Sequence, residues 1–195
     1  MARRPTRNVP IVVLHGLNGS GPGHWQTWLI EELTEAGRDV RYPELPKPDD
    51  PHLEDWLTAF RAALDGLPED GFDVVCHSLA SIVWLHHASR AASTPRPARV
   101  ALISPPSPQT ALPVIAEFVP PPLDVDAVRR AADGTILVGS DNDPYCPEGI
   151  TEAYGRPLKI ATTIVPGGGH LNTESGFGAW PAVLDWCRRD NLAFF

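Results

Sequence analysis

Three short stretches of this sequence carry side chains that could do covalent chemistry together. FDVVCHSLAS (residues 72–81) is an apolar run that reaches Ser78, SDNDP (140–144) holds two aspartates, and GGGH (167–170) ends at a histidine. A serine hydroxyl is a weak nucleophile and needs a base within hydrogen-bond reach. A histidine can be that base when a carboxylate holds its imidazole in one tautomer. The three stretches therefore predict a Ser-His-Asp arrangement with Ser78 as the nucleophile.

The base and the acid of this arrangement come from the second and third stretches. His170 follows three glycines, which let the loop swing the imidazole back towards the serine. Either Asp141 or Asp143 could orient that imidazole. We favour Asp143, because Pro144 stiffens the turn behind it, whereas Asp141 would then cap the loop or face solvent.

The segment around Ser78 departs from the Gly-x-Ser-x-Gly pattern of a nucleophile elbow. Cys76 and Ala80 occupy the two glycine positions, so the pattern is small-x-Ser-x-small. Taken alone, this segment is equally typical of a serine that caps a helix. A thiol nucleophile at Cys76 is also conceivable, but a cysteine two residues before the turn is more typical of a small buried hydrophobe. Together with the other two stretches, the pattern favours Ser78 as the nucleophile.

An acyl-transfer site would also need two backbone N–H donors for an oxyanion. Leu79, directly after the serine and at the start of a predicted helix, is one expected donor, and the helix dipole there favours negative charge. The loop HGLNGSGPGHW (residues 15–25) supplies the other, with Leu17 as our choice and Asn18 next. The glycines of this loop could instead cradle a phosphate. The loop has neither a GxGxxG register nor a Walker lysine, which argues against a nucleotide site.

The lining of a substrate pocket is harder to predict from the sequence. Asn18 and Trp25 follow the first strand, although the helical spacing of Trp25 and Trp28 is also typical of core residues. Phe118 lies in the proline-rich stretch 105–123, which we expect to be a rigid loop or a small lid at the pocket mouth. Two further histidines, His15 and His77, are expected to be packing or loop-bonding residues, and His24, His86 and His87 to be structural or at the surface.

Strands alternating with helices must position these groups. Short apolar runs predict six strands, and helical stripes predict four helices between and after them. The expected strands are 10–14, 39–45, 72–78, 99–106, 135–140 and 159–167, and the expected helices are 24–37, 53–67, 79–92 and 175–191. This alternation predicts an α/β fold with a mostly parallel sheet and helices on both faces. Ligands in such sheets bind beyond the carboxyl ends of the strands, where the three reactive stretches lie.

Composition limits the classes of protein and partner. A chain of 195 residues with 43% hydrophobic and 21% charged residues is typical of one globular domain, 1–195. Its net charge of −8 argues against binding to nucleic acid or to an anionic membrane surface. Three cysteines without CxxC spacing predict no metal site and no disulfide framework. We expect residues 1–8 to be a flexible tail, no secretion signal, and a cytoplasmic location.

Several of these stretches together resemble a known family. VLHGLNGSGPGHWQTW, YPELPKPDDPHLEDW, CHSLAS, SDNDPYCP and GGGHLNTESGFGAWP are similar to the small single-domain α/β-hydrolases of the retinoblastoma-binding protein 9 type and their bacterial relatives. The order Ser, Asp, His along the chain is that of the α/β-hydrolases. The resemblance implies a minimal α/β-hydrolase fold without a large cap domain. It also implies an esterase-like serine hydrolase that acts on a small acyl substrate without a cofactor.

The family resemblance carries the nucleophile onto Ser78, the acid onto Asp143 and the base onto His170. Cys76 departs from it, since many members have glycine there. Two other functions remain open at this point. The chain could keep the fold as a non-catalytic interaction protein, or it could use the same three residues as an amidase or peptidase.

Overall fold

The computed structural model describes residues 7–69, 71–90 and 95–194. Six strands form one sheet in the order β2-β1-β3-β4-β5-β6, and every neighbouring pair is parallel. The predicted mostly parallel sheet is thus confirmed. The strands are β1 (Ile11–Leu14), β2 (Val40–Arg41), β3 (Asp73–His77), β4 (Arg99–Ile103), β5 (Gly134–Ser140) and β6 (Ala161–Val165).

Helices cover both faces of the sheet, as expected. Their bounds are α1 (Trp25–Glu35), α2 (Leu53–Leu64), α3 (Leu79–Arg90), α4 (Val125–Ala131), α5 (Arg156–Leu158) and α6 (Pro181–Arg188). Successive side chains of a strand point to opposite faces. In β3, Val74 and Cys76 therefore join the core with α2 to α5, whereas Val75 joins the core with α1 and α6. Both faces of the inner strands β1, β3 and β4 are buried, which explains why these strands are largely apolar.

Four elements differ most from the prediction: β2, the unpredicted helices α4 and α5, and the closing helix. β2 spans two residues instead of the expected 39–45, since Pro43 follows closely and has no N–H to donate to a ladder. Helix α4 was not predicted, because seven residues are too few to show a clear periodicity; Asp124 caps it by accepting from the backbone of Asp126 and Ala127. The closing helix begins only at Pro181, which occupies its first turn.

The proline-rich stretch 105–123, called the strap below, follows β4 at the carboxyl end of the sheet. It contains one 3₁₀ turn, Pro113–Phe118, and is fixed to helix α2. The carboxylate of Glu117 accepts a hydrogen bond from Leu53 N (3.2 Å) at the start of α2 and lies 3.1 Å from His52 Nδ1. The Phe118 ring packs edge-on against Trp56 with centroids 5.7 Å apart.

An ion cluster closes the opposite, amino-terminal end of the sheet. Asp73, the first residue of β3, is fully buried and accepts from the guanidinium groups of Arg7, Arg38 and Arg99. Most of the predicted flexible tail, residues 1–6, lies outside the described residues; Arg7 is tied to Asp73 at 3.0 Å. No helix in the described ranges is long and apolar enough to cross a membrane.

Candidate active site

Ser78 sits on a sharp turn between β3 and α3. Its φ of 54° lies in the left-handed region, which a residue with a side chain rarely adopts. The backbone on both sides fixes this conformation, because Ser78 N donates to the carbonyl of Ile103 (2.8 Å) and Ser81 N donates to the Ser78 carbonyl (2.9 Å). Cys76 and Ala80 are both fully buried. The turn is therefore formed without either elbow glycine.

Ser78, His170 and Asp143 form one hydrogen-bonded chain. Ser78 Oγ lies 2.9 Å from His170 Nε2, and His170 Nδ1 lies 2.8 Å from Asp143 Oδ2 and 3.1 Å from Oδ1. Asp143 is only 4% exposed, so its carboxylate is shielded from water. The imidazole can thus accept the serine proton through Nε2 while Nδ1 donates to the aspartate. Of the two aspartates considered, the structure brings Asp143 to the histidine.

The loop that carries His170 is held by four consecutive side chains at the end of β5. Ser140 Oγ donates to the carbonyl of Gly169, and Asp141 Oδ1 accepts from Gly167 N at 2.7 Å. Asn142 Oδ1 accepts from Gly169 N at 2.7 Å, and Asp143 binds the imidazole. Asp141 therefore caps the glycine loop, as its alternative assignment in the sequence suggested. Sequence reasoning missed Ser140 and Asn142, although their polar run between a strand and a proline was a signal.

Two backbone N–H groups are candidates for an oxyanion site. Among the described residues, neither Leu17 N nor Leu79 N has a hydrogen-bond acceptor, and both residues line the cavity that contains Ser78. Asn18 N, the second choice from the sequence, donates to the Pro48 carbonyl at 2.6 Å. That N–H is occupied, so the structure favours Leu17 over Asn18 as the donor from this loop.

Two of the remaining histidines stabilise the loops of the site. His15 Nδ1 donates to the Gly16 carbonyl (2.9 Å), and its Nε2 accepts from Leu45 N (3.3 Å). His77 Nε2 donates to the carbonyl of His170 (3.1 Å). Burial lowers the pKa of His77 well below its usual value, and the charge of His170 adds to this shift. Both residues act as loop-bonding histidines, as expected from the sequence.

The cavity above Ser78 has a volume of about 280 Å³ and two unlike walls. The strap contributes apolar side chains, among them Leu112 and Ile115, and the loop after His170 contributes polar ones, among them Asn172 and Glu174. Asn18 lines the cavity as expected. No group of three or more His, Cys, Asp or Glu side chains in the described residues could hold a metal ion.

The structure corrects two of the expected pocket residues. Trp25 is fully buried, donates its indole N–H to the Leu171 carbonyl (2.8 Å) and packs on Trp180, so it belongs to the core. Phe118 is also fully buried and packs under the strap instead of lining the cavity. The helical spacing of Trp25 was the signal for the core, and nothing in the sequence distinguished the inner from the outer side of the strap.

Two residues missed by sequence reasoning do line the cavity. Tyr145 is half-exposed and its ring lies 4.5 Å from the His170 ring, while its backbone N–H donates to Asp143 Oδ1 (2.9 Å). His24, expected to be structural or at the surface, caps helix α1 and also faces the cavity. Both residues lie in stretches that resemble the family, SDNDPYCP and VLHGLNGSGPGHWQTW, but no role was predicted for either in the cavity.

Comparisons with known proteins agree with this fold. The model of the family described as "Serine hydrolase" matches residues 11–189. YdeN of Bacillus subtilis (strain 168), a hydrolase by its name, is 25% identical over 176 residues, which cover 90% of this chain and 92% of YdeN. The solved structure of the YdeN gene product superposes with a TM-score of 0.76 over 91% of this chain and 96% of that one.

More distant structures share the fold. A YdeN-like hydrolase from Pectobacterium atrosepticum is 20% identical, with a TM-score of 0.67 over 91% of this chain and 88% of its own. A structure from work on LipS and LipT, two metagenome-derived lipolytic enzymes, is 15% identical, with a TM-score of 0.61 over 83% of this chain and 84% of its own. The predicted resemblance to small bacterial serine hydrolases is confirmed, while the retinoblastoma-binding protein 9 branch stays a prediction. The chain belongs to the serine hydrolase family and is a hydrolase with the α/β-hydrolase fold.

Proposed function

We propose that this protein hydrolyses an ester-type acyl bond of a small substrate through a Ser78-His170-Asp143 triad and an acyl-enzyme. The observation that carries the proposal is the unbroken hydrogen-bonded chain from Ser78 Oγ to Asp143, at the floor of an open cavity. A cavity of about 280 Å³ fits a small-molecule acyl substrate better than a folded macromolecule.

In the first half of the reaction, Ser78 Oγ attacks the substrate carbonyl carbon while its proton passes to His170 Nε2. The carbonyl oxygen becomes an oxyanion, which accepts hydrogen bonds from the N–H groups of Leu17 and Leu79 in this proposal; both residues line the cavity. Asp143 stabilises the imidazolium through Nδ1–H. The tetrahedral intermediate collapses as the bond to the leaving alcohol breaks, and His170 gives its proton to that alcohol.

The second half repeats these roles with water. His170 Nε2 takes a proton from water, whose oxygen attacks the acyl-Ser78 carbonyl, and the same N–H groups bind the new oxyanion. Collapse breaks the bond to Ser78 Oγ, which regains its proton from the imidazolium, and the carboxylic acid leaves. The proton from Ser78 leaves with the alcohol and a proton from water restores Ser78, so these steps use only this chain's groups and water and require no cofactor.

The Ser78→Ala variant tests the proposal. We expect it to lose hydrolysis of p-nitrophenyl butyrate by about 10³-fold or more and to lose labelling by a fluorophosphonate probe. Circular dichroism would show that the variant keeps its fold. Unchanged hydrolysis in the variant would refute Ser78 as the nucleophile. A wild-type protein that neither hydrolyses esters nor reacts with the probe would favour the alternative, a non-catalytic interaction protein.

An amidase or peptidase could use the same three residues. The distinction lies in protonation of an amine leaving group and in the shape of the cavity. A panel of short-chain esters, thioesters and aminoacyl amides separates the two classes of substrate, and we expect kcat/KM to be highest for the esters.

A further inference from the structure

His24 presents an unused hydrogen-bond donor to the cavity. It caps helix α1, and its Nδ1 accepts from Gln26 N at 3.1 Å. A neutral imidazole with its Nδ1 lone pair engaged in this way carries its proton on Nε2. Nε2 has no hydrogen-bond partner among the described residues, although the side chain is largely enclosed, with 6% of the residue exposed. His24 is one of the residues that line the cavity that contains Ser78.

The charge state of His24 follows from its surroundings. Burial lowers its pKa to about 4, and the charge of His170 contributes to the shift. At neutral pH the ring is therefore uncharged. It offers a hydrogen bond without attracting an anion by charge, which distinguishes it from an arginine or lysine in a similar place.

His77 presents the complementary acceptor. Its ring centroid lies 5.0 Å from that of His24, and it also lines the cavity while being 4% exposed. Its Nε2 donates to the His170 carbonyl (3.1 Å), so the Nδ1 lone pair remains. That Nδ1 has no hydrogen-bond partner in the ranges that the structure describes. Both tautomers are thus set by the backbone, one ring as donor and the other as acceptor.

We propose that His24 and His77 form a subsite that binds an uncharged hydrogen-bonding group of the substrate, namely a hydroxyl. A hydroxyl can accept from His24 Nε2–H and donate to His77 Nδ1 at the same time. Enclosed polar groups without partners are costly, and a ligand that pairs them is favoured over an analogue that does not. The inference rests on the proposed function and narrows its substrate to hydroxylated esters.

Isosteric substrate pairs test this subsite, because they replace one methyl by a hydroxyl. On the acyl side, methyl 3-hydroxybutyrate is compared with methyl 3-methylbutyrate; on the alcohol side, 2-hydroxyethyl butyrate is compared with propyl butyrate. We expect the wild-type protein to prefer the hydroxylated member of at least one pair by about tenfold in kcat/KM, the size of one net hydrogen bond. Initial rates by pH-stat titration give these ratios.

The His24→Asn variant removes the imidazole while keeping an N-cap, because an asparagine oxygen can accept from Gln26 N. We expect it to hydrolyse the apolar esters and to lose the preference for the hydroxylated ones. His52→Asn is the matched control, since His52 also stands at a helix N-cap but does not line the cavity, and its preference should equal that of the wild type.

The outcomes separate the two proposals. Equal ratios in wild type and His24→Asn, or no hydroxyl preference in either pair, would overturn the subsite while ester hydrolysis still stood. Absence of hydrolysis of every ester, including p-nitrophenyl butyrate, would instead refute the proposed function itself.

Discussion

Gly16 and Ser78 are in direct contact at the floor of the cavity. A Cβ placed on Gly16 would lie 2.7 Å from Ser78 Cβ, 3.3 Å from Ser78 Oγ and 3.2 Å from the carbonyl oxygen of His77. Real Cβ atoms essentially never approach another atom as closely as 2.7 Å, and the other two contacts are tighter than most. Two of the three neighbouring atoms belong to Ser78 in the strained turn of the nucleophile. The glycine at position 16 is thus explained by the serine at position 78 and not by its own backbone angles.

The Gly16→Ala variant should therefore displace Ser78 from His170. A misplacement of about 1 Å in a catalytic group can lower the rate about 100-fold, so we expect a loss of kcat of roughly 10- to 100-fold. Gly21→Ala is the control in the same loop, because a Cβ there meets no atom within 4 Å. Ester hydrolysis rates of the two variants measure the effect. Equal rates would show that the contact between residues 16 and 78 does not position the nucleophile.

The two aspartates at the end of β5 make separate contacts with the histidine loop. Asp143→Asn replaces the acceptor of His170 Nδ1–H with a group that can favour the wrong tautomer, and we expect kcat to fall by about 10⁴-fold. Asp141→Asn keeps an oxygen that can accept from Gly167 N, so we expect a loss of several-fold at most. Steady-state kinetics of both variants decide the assignment, and the reverse order of losses would make Asp141 the triad acid.

The three cysteines should be inert in the folded protein. All three are buried. Burial raises the pKa of the Cys76 thiol. It also raises the pKa of the Cys146 and Cys187 thiols, in each case to about 12. Since the thiolate is the reactive form, we expect no loss of esterase activity with N-ethylmaleimide and three titratable thiols only after denaturation. Inactivation in parallel with modification of Cys76 would instead indicate a thiol nucleophile.

Much of the site could be predicted because its residues follow strands. Ser78 directly follows β3, Asp143 lies three residues beyond the end of β5 (Ser140), and His170 lies five residues beyond the end of β6 (Val165). In a parallel sheet the ends of strands meet at one edge, so spacing along the chain was enough to bring these side chains together. The absence of the elbow glycines changed little, because Cys76 and Ala80 are small enough to be buried on either side of the turn.

The pocket lining could not be predicted in the same way. Whether Phe118 faces the cavity depends on how the strap packs in three dimensions, and the strap has no periodicity that fixes it. The helical spacing of Trp25 was typical of a core residue, but spacing alone did not show that this residue stays out of the cavity. His24 illustrates the same limit, because one side chain both caps a helix and faces the cavity. The position of His24 just before a predicted helix is consistent with a helix cap. Its place at the cavity depends on the packing of the His77 ring, at the end of β3, against the His24 ring.

Removing the buried charge of Asp73 should lower the stability of the fold by a large amount without affecting catalysis. Desolvation alone would raise the pKa of Asp73, but hydrogen bonds from Arg99 and Arg7 and the charges of Arg99 and Arg38 lower it overall. Asp73→Asn leaves these guanidinium groups without a counter-charge, and we expect the free energy of unfolding to fall by about 3–5 kcal/mol. Ser78 follows the opposite end of β3, so the folded fraction should keep its specific activity.

Urea unfolding measures that loss. Asp190→Asn is the matched control, because Asp190 also pairs with Arg7 but its side chain is 59% exposed, where an ion pair contributes little. Similar losses in the two variants would contradict a stabilising role for the buried cluster. The contribution of Asp73 should be fully present above its unfolded pKa and be lost as the pH falls through its lowered folded value.

His87 predicts a measurable dependence of stability on pH. Burial lowers its pKa to about 4, and the charge of Arg61 adds to the shift. Between pH 6.5, the ordinary pKa of a histidine, and pH 4, His87 binds a proton in the unfolded chain but not in the folded protein. The free energy of unfolding therefore falls as the pH is lowered through this range. Each such histidine contributes a slope of about 1.4 kcal/mol per pH unit in that window.

The His87→Phe variant removes this slope without creating a cavity. The His87 ring packs 4.9 Å from Phe60 and 5.4 Å from Trp84 by centroids, and its Nδ1 has no hydrogen bond to lose. We expect urea unfolding from pH 8 to pH 4 to show a shallower loss of stability in the variant than in the wild type. At pH 8 the imidazole is neutral in both the folded and unfolded states, so the difference there reports packing alone. Parallel curves across the whole range would show that His87 does not resist protonation in the folded protein.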